Sequence, residues 1–312
     1  MTVLRTASVS PPDTSPEDPR VGHLLGRGSL DPGKSKVMMV GFPIDEGVRR
    51  NGGRVGAAEG PAAIRQALFR MTPDPELYLE FIELLQATAD LGDLLSSGDL
   101  ESDQAALGQV LAPHLLRGAV VIVLGGGHET SFGHFRGYVD AGLPIRILNW
   151  DAHPDVRPLR DGKGHSGSPF RQILEHASGL CRGYFVAGLA RSAVARVHLD
   201  YLAARGGSWC FNEDLGRATI DRILERTIEP TFVTFDLDAV DGSAAPGVSA
   251  PATGGLAVAD WLHAAELAGQ NGCVRSMDLV ELNPRLDLDG RTARLAAATV
   301  WHFLRGLCRR KW

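Results

Sequence analysis

The sequence has few cysteines, no long hydrophobic run and no excess of basic residues. Its four cysteines, at positions 181, 210, 273 and 308, form no CxxC pair, which argues against a zinc knuckle or a disulfide framework. The longest apolar run, residues 119–124, is far shorter than the roughly 20 residues that span a membrane. Lysine plus arginine count 32 against 37 aspartate plus glutamate, which disfavours nucleic-acid binding. We therefore expect a cytoplasmic protein that binds neither membrane nor nucleic acid.

The composition is that of a globular protein, with one atypical segment at the start. Hydrophobic residues make up 44% of the 312 residues and charged residues 22%, unlike a disordered chain. Residues 1–20 combine several prolines with serines and acids, a composition that neither buries apolar surface nor supports a helix. No linker or change in composition divides the remainder. We predict a loose tail over residues 1–20 and a single domain over residues 21–312.

Short apolar runs alternate with helix-like segments along the chain. The predicted strands are residues 36–42, 119–124, 145–150, 184–189, 231–236 and 273–279. The predicted helices include residues 60–71, 102–116, 168–176, 191–205 and 258–269. The strands are almost continuously apolar, which is typical of strands that are covered on both faces. The alternation predicts an α/β fold with a parallel sheet.

Residues 28–35, GSLDPGKS, match the phosphate-loop pattern GxxxxGK[ST]. A phosphate loop follows a buried strand and opens a helix, whose N-terminal amides help to bind phosphate. Here a strand-like run, KVMMVGF, comes after the motif instead. We therefore interpret the match as chance. The alternative, a nucleotide-binding protein, predicts saturable ATP binding that is lost in Lys34→Ala.

Histidines and aspartates follow three of the predicted strands. They are His128 in GGGHE, Asp151, His153 and Asp155 in NWDAHPD, and Asp236 and Asp238 in TFDLDAVD. Alternate residues of an extended chain point to one side, and the carboxyl ends of parallel strands form the ligand-binding edge of a sheet. Each acid taken alone could be a turn residue or a helix cap. Together, converging carboxylates require a cation, and this set without thiolates favours two divalent ions, Mn²⁺ before Zn²⁺.

These three motifs resemble the metal signatures of the ureohydrolase family, which includes arginase, agmatinase and formimidoylglutamase. The motifs occupy residues 126–129, 151–155 and 234–241, and the resemblance extends over about residues 37–307. It implies an arginase-like three-layer α/β/α fold around a mostly parallel, eight-stranded sheet. It also implies a small-molecule substrate and a homo-oligomer, either a trimer or a hexamer.

The resemblance further implies a role for each candidate ligand. Two Mn²⁺ ions per subunit would be bridged by Asp151 and Asp236, with His128 and Asp155 completing one site and His153 and Asp238 the other. Such ions lower the pKa of a shared water, so that a bridging hydroxide can attack an amidine-type carbon. Asp155 would also orient this hydroxide. Glu281, in MDLVELNP, matches the family carboxylate that holds the cationic nitrogen group of the substrate.

The segments around these motifs resemble formimidoylglutamase more than arginase or agmatinase. This implies hydrolysis of N-formimidoyl-L-glutamate to L-glutamate and formamide in histidine degradation. Arg157 lies where arginases have a neutral amide, and a guanidinium can bind a carboxylate of the substrate bidentately, although Arg157 could instead face solvent. Arg50 is a weaker candidate for the second carboxylate and could equally serve local packing.

The proton donor departs from the arginase pattern. Ser166 occupies the position of the arginase histidine, and the neighbouring His165 is a candidate to protonate the departing amine. A neighbouring residue on an extended segment would, however, point the other way. Two alternatives to the predicted function remain. One is a ureohydrolase that acts on arginine, agmatine or guanidinobutyrate, and the other is an inactive, metal-bound relative.

Overall fold

A computed structural model describes residues 3–15, 17–27 and 35–311, and these residues build a ten-stranded sheet. The strands are β1 (Leu4–Arg5), β2 (Gly26–Arg27), β3 (Val37–Phe42), β4 (Thr88–Leu94), β5 (Val120–Gly125), β6 (Ile145–Trp150), β7 (Cys181–Leu189), β8 (Ser208–Phe211), β9 (Thr231–Asp236) and β10 (Val274–Val280). The helices are α1 (Val21–Leu24), α2 (Glu46–Asn51), α3 (Gly60–Leu68), α4 (Tyr78–Gln86), α5 (Leu100–Leu116), α6 (Thr130–Ala141), α7 (Pro169–Leu174), α8 (Arg196–Ala204), α9 (Arg217–Glu225), α10 (Val258–Gln270) and α11 (Arg291–Cys308).

The eight longer strands form the parallel body of the sheet. Strands β3 to β10 pair with one another in parallel, in the order β4-β3-β5-β10-β9-β6-β7-β8. The two-residue strands β1 and β2 both pair with β4, β1 antiparallel and β2 parallel. The predicted mostly parallel sheet is confirmed, and the two short strands add to the predicted eight.

Helices cover both faces of the sheet. Neighbouring residues of β3 alternate between two hydrophobic clusters, with Met39 in one and Met38 in the other. Helices α1, α3, α4, α9, α10 and α11 contribute to the first cluster, and α5 to α8 contribute to the second. The side-chain period of two in a strand therefore supplies both interfaces of a three-layer α/β/α fold, as predicted.

The N-terminal segment differs from the predicted loose tail over residues 1–20. Leu4 pairs with Leu94 and Arg5 with Asp93, so that β1 extends the sheet beyond β4. Val9 packs against the first hydrophobic cluster. Backbone pairing and the apolar contacts of Leu4 and Val9 thus hold described parts of this segment against the sheet, even though its composition is rich in proline.

Two further features of the sequence are the phosphate-loop match and the lack of a long apolar run. Residues 28–34, most of the phosphate-loop match, lie outside the described residues. Strand β3 begins at Val37, so a strand follows the motif as the sequence predicts. Among the helices that the structure describes, none is long and apolar enough to cross a membrane.

The strand order brings the metal-signature motifs together. Strands β5, β10, β9 and β6 are consecutive neighbours in the middle of the sheet. His128 follows β5, Asp151 follows β6 and Asp236 ends β9, so parallel pairing brings all three to the same edge. Glu281 follows β10, between β5 and β9, at that edge as well.

Candidate active site

All six side chains predicted as metal ligands converge in two overlapping groups. One group consists of His128, Asp151, Asp155 and Asp236, and the other of Asp151, His153 and Asp238. In each group the potential ligand atoms lie within 4.8 Å of one another. Asp151 belongs to both groups, whereas Asp236 belongs to the first. Two adjacent cations could therefore be held with Asp151 between them.

The backbone just beyond β6 and β9 orients these carboxylates. Asp151 Oδ1 accepts a hydrogen bond of 2.7 Å from the backbone N–H of His153, and Asp236 Oδ1 accepts one of 2.9 Å from that of Asp238. Asp155 has a left-handed backbone conformation with φ of 46°. Such a conformation is unfavourable for a residue other than glycine and is concentrated at functional sites.

Several buried atoms at the centre of the two groups lack hydrogen-bond partners. His128 Nδ1 makes no hydrogen bond, although carboxylate oxygens of Asp236 and Asp155 lie 2.9 and 3.1 Å away. Asp238 Oδ1 is also buried without a partner. Buried polar atoms are normally satisfied, and these would be satisfied by cations. Oxygen and imidazole ligands without thiolate fit Mn²⁺ or Zn²⁺, so the residues present suit the implied metal pair.

The electrostatics of the site also favour bound cations. Burial raises the pKa of Asp236 well above its ordinary value, and the charges of Asp238 and Asp151 raise it further. Burial likewise raises the pKa of Asp238 to about 6. Keeping all of these closely spaced, buried carboxylates ionised is unfavourable in free energy unless positive charge lies between them.

Glu281 lies beside the same cluster. Its Oε1 accepts a hydrogen bond of 2.8 Å from the backbone N–H of His128, and its backbone has a φ of 69°. Burial raises the pKa of Glu281 well above its ordinary value, as do the nearby charges of Asp236 and Glu129. A cationic group bound at this carboxylate would oppose that rise.

A cavity of about 290 Å³ connects the acidic cluster with polar and cationic groups. Its lining includes His153, Asp155, Asp236, Asp238 and Glu281, together with Asn51, Arg54, Arg157, Ser166 and Ser249. Arg157 is half-buried, and its Nη1 donates a hydrogen bond of 3.2 Å to Asn51 Oδ1. Of the two interpretations of Arg157, this position fits the pocket rather than bulk solvent.

Residues 35–305 match the sequence model of the Arginase family. The chain belongs to this family. It is 35% identical over 300 residues to the formimidoylglutamase of Chromobacterium violaceum, covering 92% of this chain and 93% of that protein. It is 38% identical over 276 residues to the Klebsiella pneumoniae formimidoylglutamase, covering 85% and 84%. The ureohydrolase resemblance inferred from the motifs is thereby confirmed.

A solved structure of the arginase family shares the whole fold. The crystal structure of Trypanosoma cruzi formiminoglutamase with two Mn²⁺ ions matches with a TM-score of 0.86 at 33% identity. The match covers 94% of this chain and 100% of that one.

Arg50 does not reach the cavity of this arginase-family protein. Its guanidinium pairs with Glu46 at 3.0 Å and with Glu101 at 2.5 Å, and it donates to the carbonyl of Gly164. Arg50 is not among the described residues that line the pocket. The ion pairs of Arg50 with Glu46 and Glu101 therefore correct the substrate-binding hypothesis for this residue in favour of the alternative, local packing.

His165 is not among the described residues that line the cavity either. Its Nε2 lies 3.0 Å from the carbonyl oxygen of Pro158, and its Nδ1 accepts a hydrogen bond from the backbone N–H of Gly167. The ring is buried, whereas its neighbours Ser166 and Gly167 line the cavity. These contacts correct the proton-transfer hypothesis for His165, because both ring nitrogens are engaged with the backbone and the ring does not line the cavity.

Arg54, which no sequence motif singled out, lines the cavity instead of Arg50. Its Nε donates to the carbonyl of Ser249 at 2.9 Å and its Nη2 to that of Val248 at 2.8 Å. Gly52, with φ of 79°, ends helix α2 and redirects the chain between the two arginines. The Gly-Gly pair in VRRNGGR was the available signal that the helix ends before Arg54.

Proposed function

We propose that the chain hydrolyses N-formimidoyl-L-glutamate to L-glutamate and formamide, a step of histidine degradation. The observation that carries this proposal is the composition of one cavity, where an acidic cluster suited to two divalent ions lies with Glu281 and two arginines. A substrate with one amidinium and two carboxylates complements these charges. Similarity to formimidoylglutamases over most of the chain supports the same substrate.

The proposed cofactor is a pair of Mn²⁺ ions per subunit, as in the structure of the Trypanosoma cruzi relative. Asp151 and Asp236 would bridge the ions, with His128 and Asp155 completing one site and His153 and Asp238 the other. Bound divalent ions of this kind supply hydroxide near neutral pH by lowering the pKa of water.

Two carboxylates of the chain would position the reactants. Glu281 holds the amidinium group of the substrate, which brings the formimidoyl carbon next to the acidic cluster. Asp155, which lines the same cavity, accepts a hydrogen bond from the attacking hydroxide and orients it. Attack on this carbon gives a tetrahedral intermediate, in which the bond between this carbon and the glutamate nitrogen breaks as the nitrogen gains a proton, so that L-glutamate leaves and formamide remains.

Arg157 and Arg54 are the proposed partners of the two substrate carboxylates. Nη2 and Nε of Arg157 make no hydrogen bond to the described residues, and neither does Nη1 of Arg54. These donors are available to an anionic ligand. The contacts of Arg54 with Val248 and Ser249 also hold its guanidinium in place before substrate binds, which reduces the entropy lost on binding.

Substitution of either arginine is expected to raise KM for N-formimidoyl-L-glutamate. A hydrogen bond to a charged group contributes about 1.5–3 kcal/mol, so Arg157→Ala and Arg54→Ala should each raise KM by roughly 10- to 150-fold. Arg49→Ala is a matched control, because Arg49 is an exposed arginine of α2 outside this cavity. An unchanged KM in Arg157→Ala would show that this arginine does not contact the substrate.

The proposed function is tested by measuring release of glutamate and formamide from N-formimidoyl-L-glutamate. The protein is loaded with Mn²⁺, a chelated sample serves as control, and arginine and agmatine are offered as competing substrates. We expect metal-dependent release that is selective for the formimidoyl compound. Urea from a guanidino compound, without hydrolysis of the formimidoyl compound, would instead support the alternative ureohydrolase.

The resemblance also underlies proposals about assembly and location. We propose that residues 21–312, together with the paired strand β1, form one catalytic domain and that the protein acts in the cytoplasm as a homotrimer or homohexamer. The free thiols of Cys181, Cys210, Cys273 and Cys308 suit a reducing compartment. Light scattering coupled to size exclusion would give the mass of the assembly, and a monomer would contradict this proposal.

A further inference from the structure

A chain of buried polar side chains leads from His128 into the protein interior. His128 Nε2 lies 3.0 Å from Thr234 Oγ1, and Thr234 Oγ1 lies 3.3 Å from Ser131 Oγ. Ser131 Oγ in turn donates to Asp278 Oδ2 at 3.0 Å. This series of hydrogen bonds connects the imidazole of a proposed metal ligand with a carboxylate outside both metal-ligand groups.

A second branch reaches Asp278 from the opposite side. His134 Nδ1 lies 3.0 Å from Asp278 Oδ2, and His134 Nε2 lies 2.7 Å from Ser276 Oγ. Tyr138 OH is 2.6 Å from the same Ser276 oxygen. Asp278 is therefore the point where two hydrogen-bonded branches meet, and only one of them leads to the proposed metal centre.

All members of both branches are buried with at most 1% of their surface exposed. Bulk water therefore cannot replace a lost partner, and a broken link leaves an unsatisfied buried group.

The proton at each link follows from the acceptor at the end of the chain. The Ser131 hydroxyl donates its single hydrogen to Asp278 Oδ2. Ser131 Oγ can then only accept a hydrogen bond from Thr234, so the Thr234 hydroxyl is the donor of that bond. Thr234 is left to accept from His128, and this arrangement requires the proton of the neutral imidazole to reside on Nε2.

We propose that Asp278 is a positioning residue that, through Ser131 and Thr234, keeps the proton of His128 on Nε2. The lone pair of Nδ1 is then directed at the carboxylates of Asp155 and Asp236, where a cation would bind. The other tautomer would place a proton at the ligand atom and block it. Hydrogen-bonded partners that fix the tautomer of ligating histidines commonly strengthen metal binding by about 10- to 100-fold. This inference rests on the metal site of the proposed function.

The test compares Mn²⁺ binding among variants that differ in which branch they break. Thr234→Val and Ser131→Ala interrupt the branch to His128, and Ser276→Ala interrupts the other branch at a residue of equal burial. Equilibrium dialysis at graded free Mn²⁺, with metal content determined by mass spectrometry, gives the affinity without any requirement for turnover. Thermal unfolding of the metal-free proteins reports the purely structural cost of each change.

We expect Thr234→Val and Ser131→Ala to weaken Mn²⁺ binding at one of the two sites by about 10- to 100-fold. Ser276→Ala should bind Mn²⁺ within about twofold of the unmodified protein, even if it loses similar thermal stability. Thr234→Ser, which retains the hydroxyl, should restore the affinity. Equal weakening in Ser276→Ala and Ser131→Ala, or unchanged binding in Ser131→Ala, would overturn the inference. Absence of Mn²⁺ binding in the unmodified protein would overturn the proposed metal site itself.

Discussion

Replacement of Asp151 or Asp236 by asparagine is expected to abolish hydrolysis and to remove bound metal. The amide matches the carboxylate in size and can still accept the backbone hydrogen bond from residue 153 or 238. It carries no charge, however, so each variant loses the anionic oxygen that would hold the cations together. We expect Mn²⁺ affinity to fall by more than about 100-fold, beyond the effect of changing an outer partner.

Asp241→Asn provides a matched control for these two variants. Asp241 belongs to the same sequence motif as Asp236 but lies outside both described metal-ligand groups. Its carboxylate accepts hydrogen bonds from Ser243 and from the backbone of Gly254. Metal content after dialysis and the rate of glutamate release should remain close to normal in this variant. Full Mn²⁺ occupancy together with turnover in Asp236→Asn would refute the bridging role.

Glu281→Gln is expected to leave both metal ions in place and to remove most of the activity. The glutamine oxygen can still accept the hydrogen bond from the backbone N–H of His128, which Glu281 Oε1 accepts at 2.8 Å. The negative charge facing the amidinium is lost. Removing one partner of a buried charge pair costs about 2–5 kcal/mol, which corresponds to roughly a 30- to 5,000-fold decrease in kcat/KM.

The measurement for Glu281→Gln combines steady-state kinetics with metal analysis. Mn²⁺ content should equal that of the unmodified protein, because Glu281 is not among the described metal-ligand groups. Loss of metal from this variant would mean that Glu281 acts on the ions rather than on the substrate. Normal kcat/KM with full metal content would exclude contact between this carboxylate and the substrate cation.

The parallel sheet was predictable where strands are apolar, and less so where they carry charge. The six predicted apolar runs correspond to β3, β5, β6, β7, β9 and β10. Strand β4 was missed because its sequence, TADLGDL, contains Asp90 and Asp93. The fully buried Arg65 of α3 pairs with these carboxylates at 2.9 and 2.6 Å. The carboxylates of this strand are neutralised by an arginine that is distant in sequence, so the strand itself shows no local signal of burial.

Helix α6 was missed for a different reason. It contains Gly133 and Gly137, which lower helix propensity, and most residues of its buried face are glycine or polar rather than apolar. A Cβ at Gly137 would lie only 2.8 Å from the Cβ of Leu111 on α5, so the glycine permits close contact between the helices. Tertiary packing therefore overrides a weak local preference.

The metal-ligand cluster could be predicted because its residues alternate just beyond apolar strands. The residues of the substrate pocket are on loops, where small differences in chain direction decide which side chain reaches the cavity. Arg50 and Arg54 are separated by four positions, yet the turn at Gly52 sends only Arg54 into the pocket. His165 and Ser166 are neighbours in the sequence, yet of these two only Ser166 lines the cavity. Sequence spacing identifies such groups as candidates but does not choose among them.

The position of Arg54 on a segment without proposed metal ligands has a consequence for how new substrates can evolve. The groups proposed to generate the nucleophile are anchored at the ends of β5, β6 and β9, in the middle of the sheet. Arg54 lies after α2, on a segment that carries none of these groups, whereas Arg157 follows the proposed ligand Asp155 by two positions. Exchange of the segment after α2 can therefore alter which compound is accepted while the groups that generate the nucleophile are retained, so that substrate range can change without an inactive intermediate.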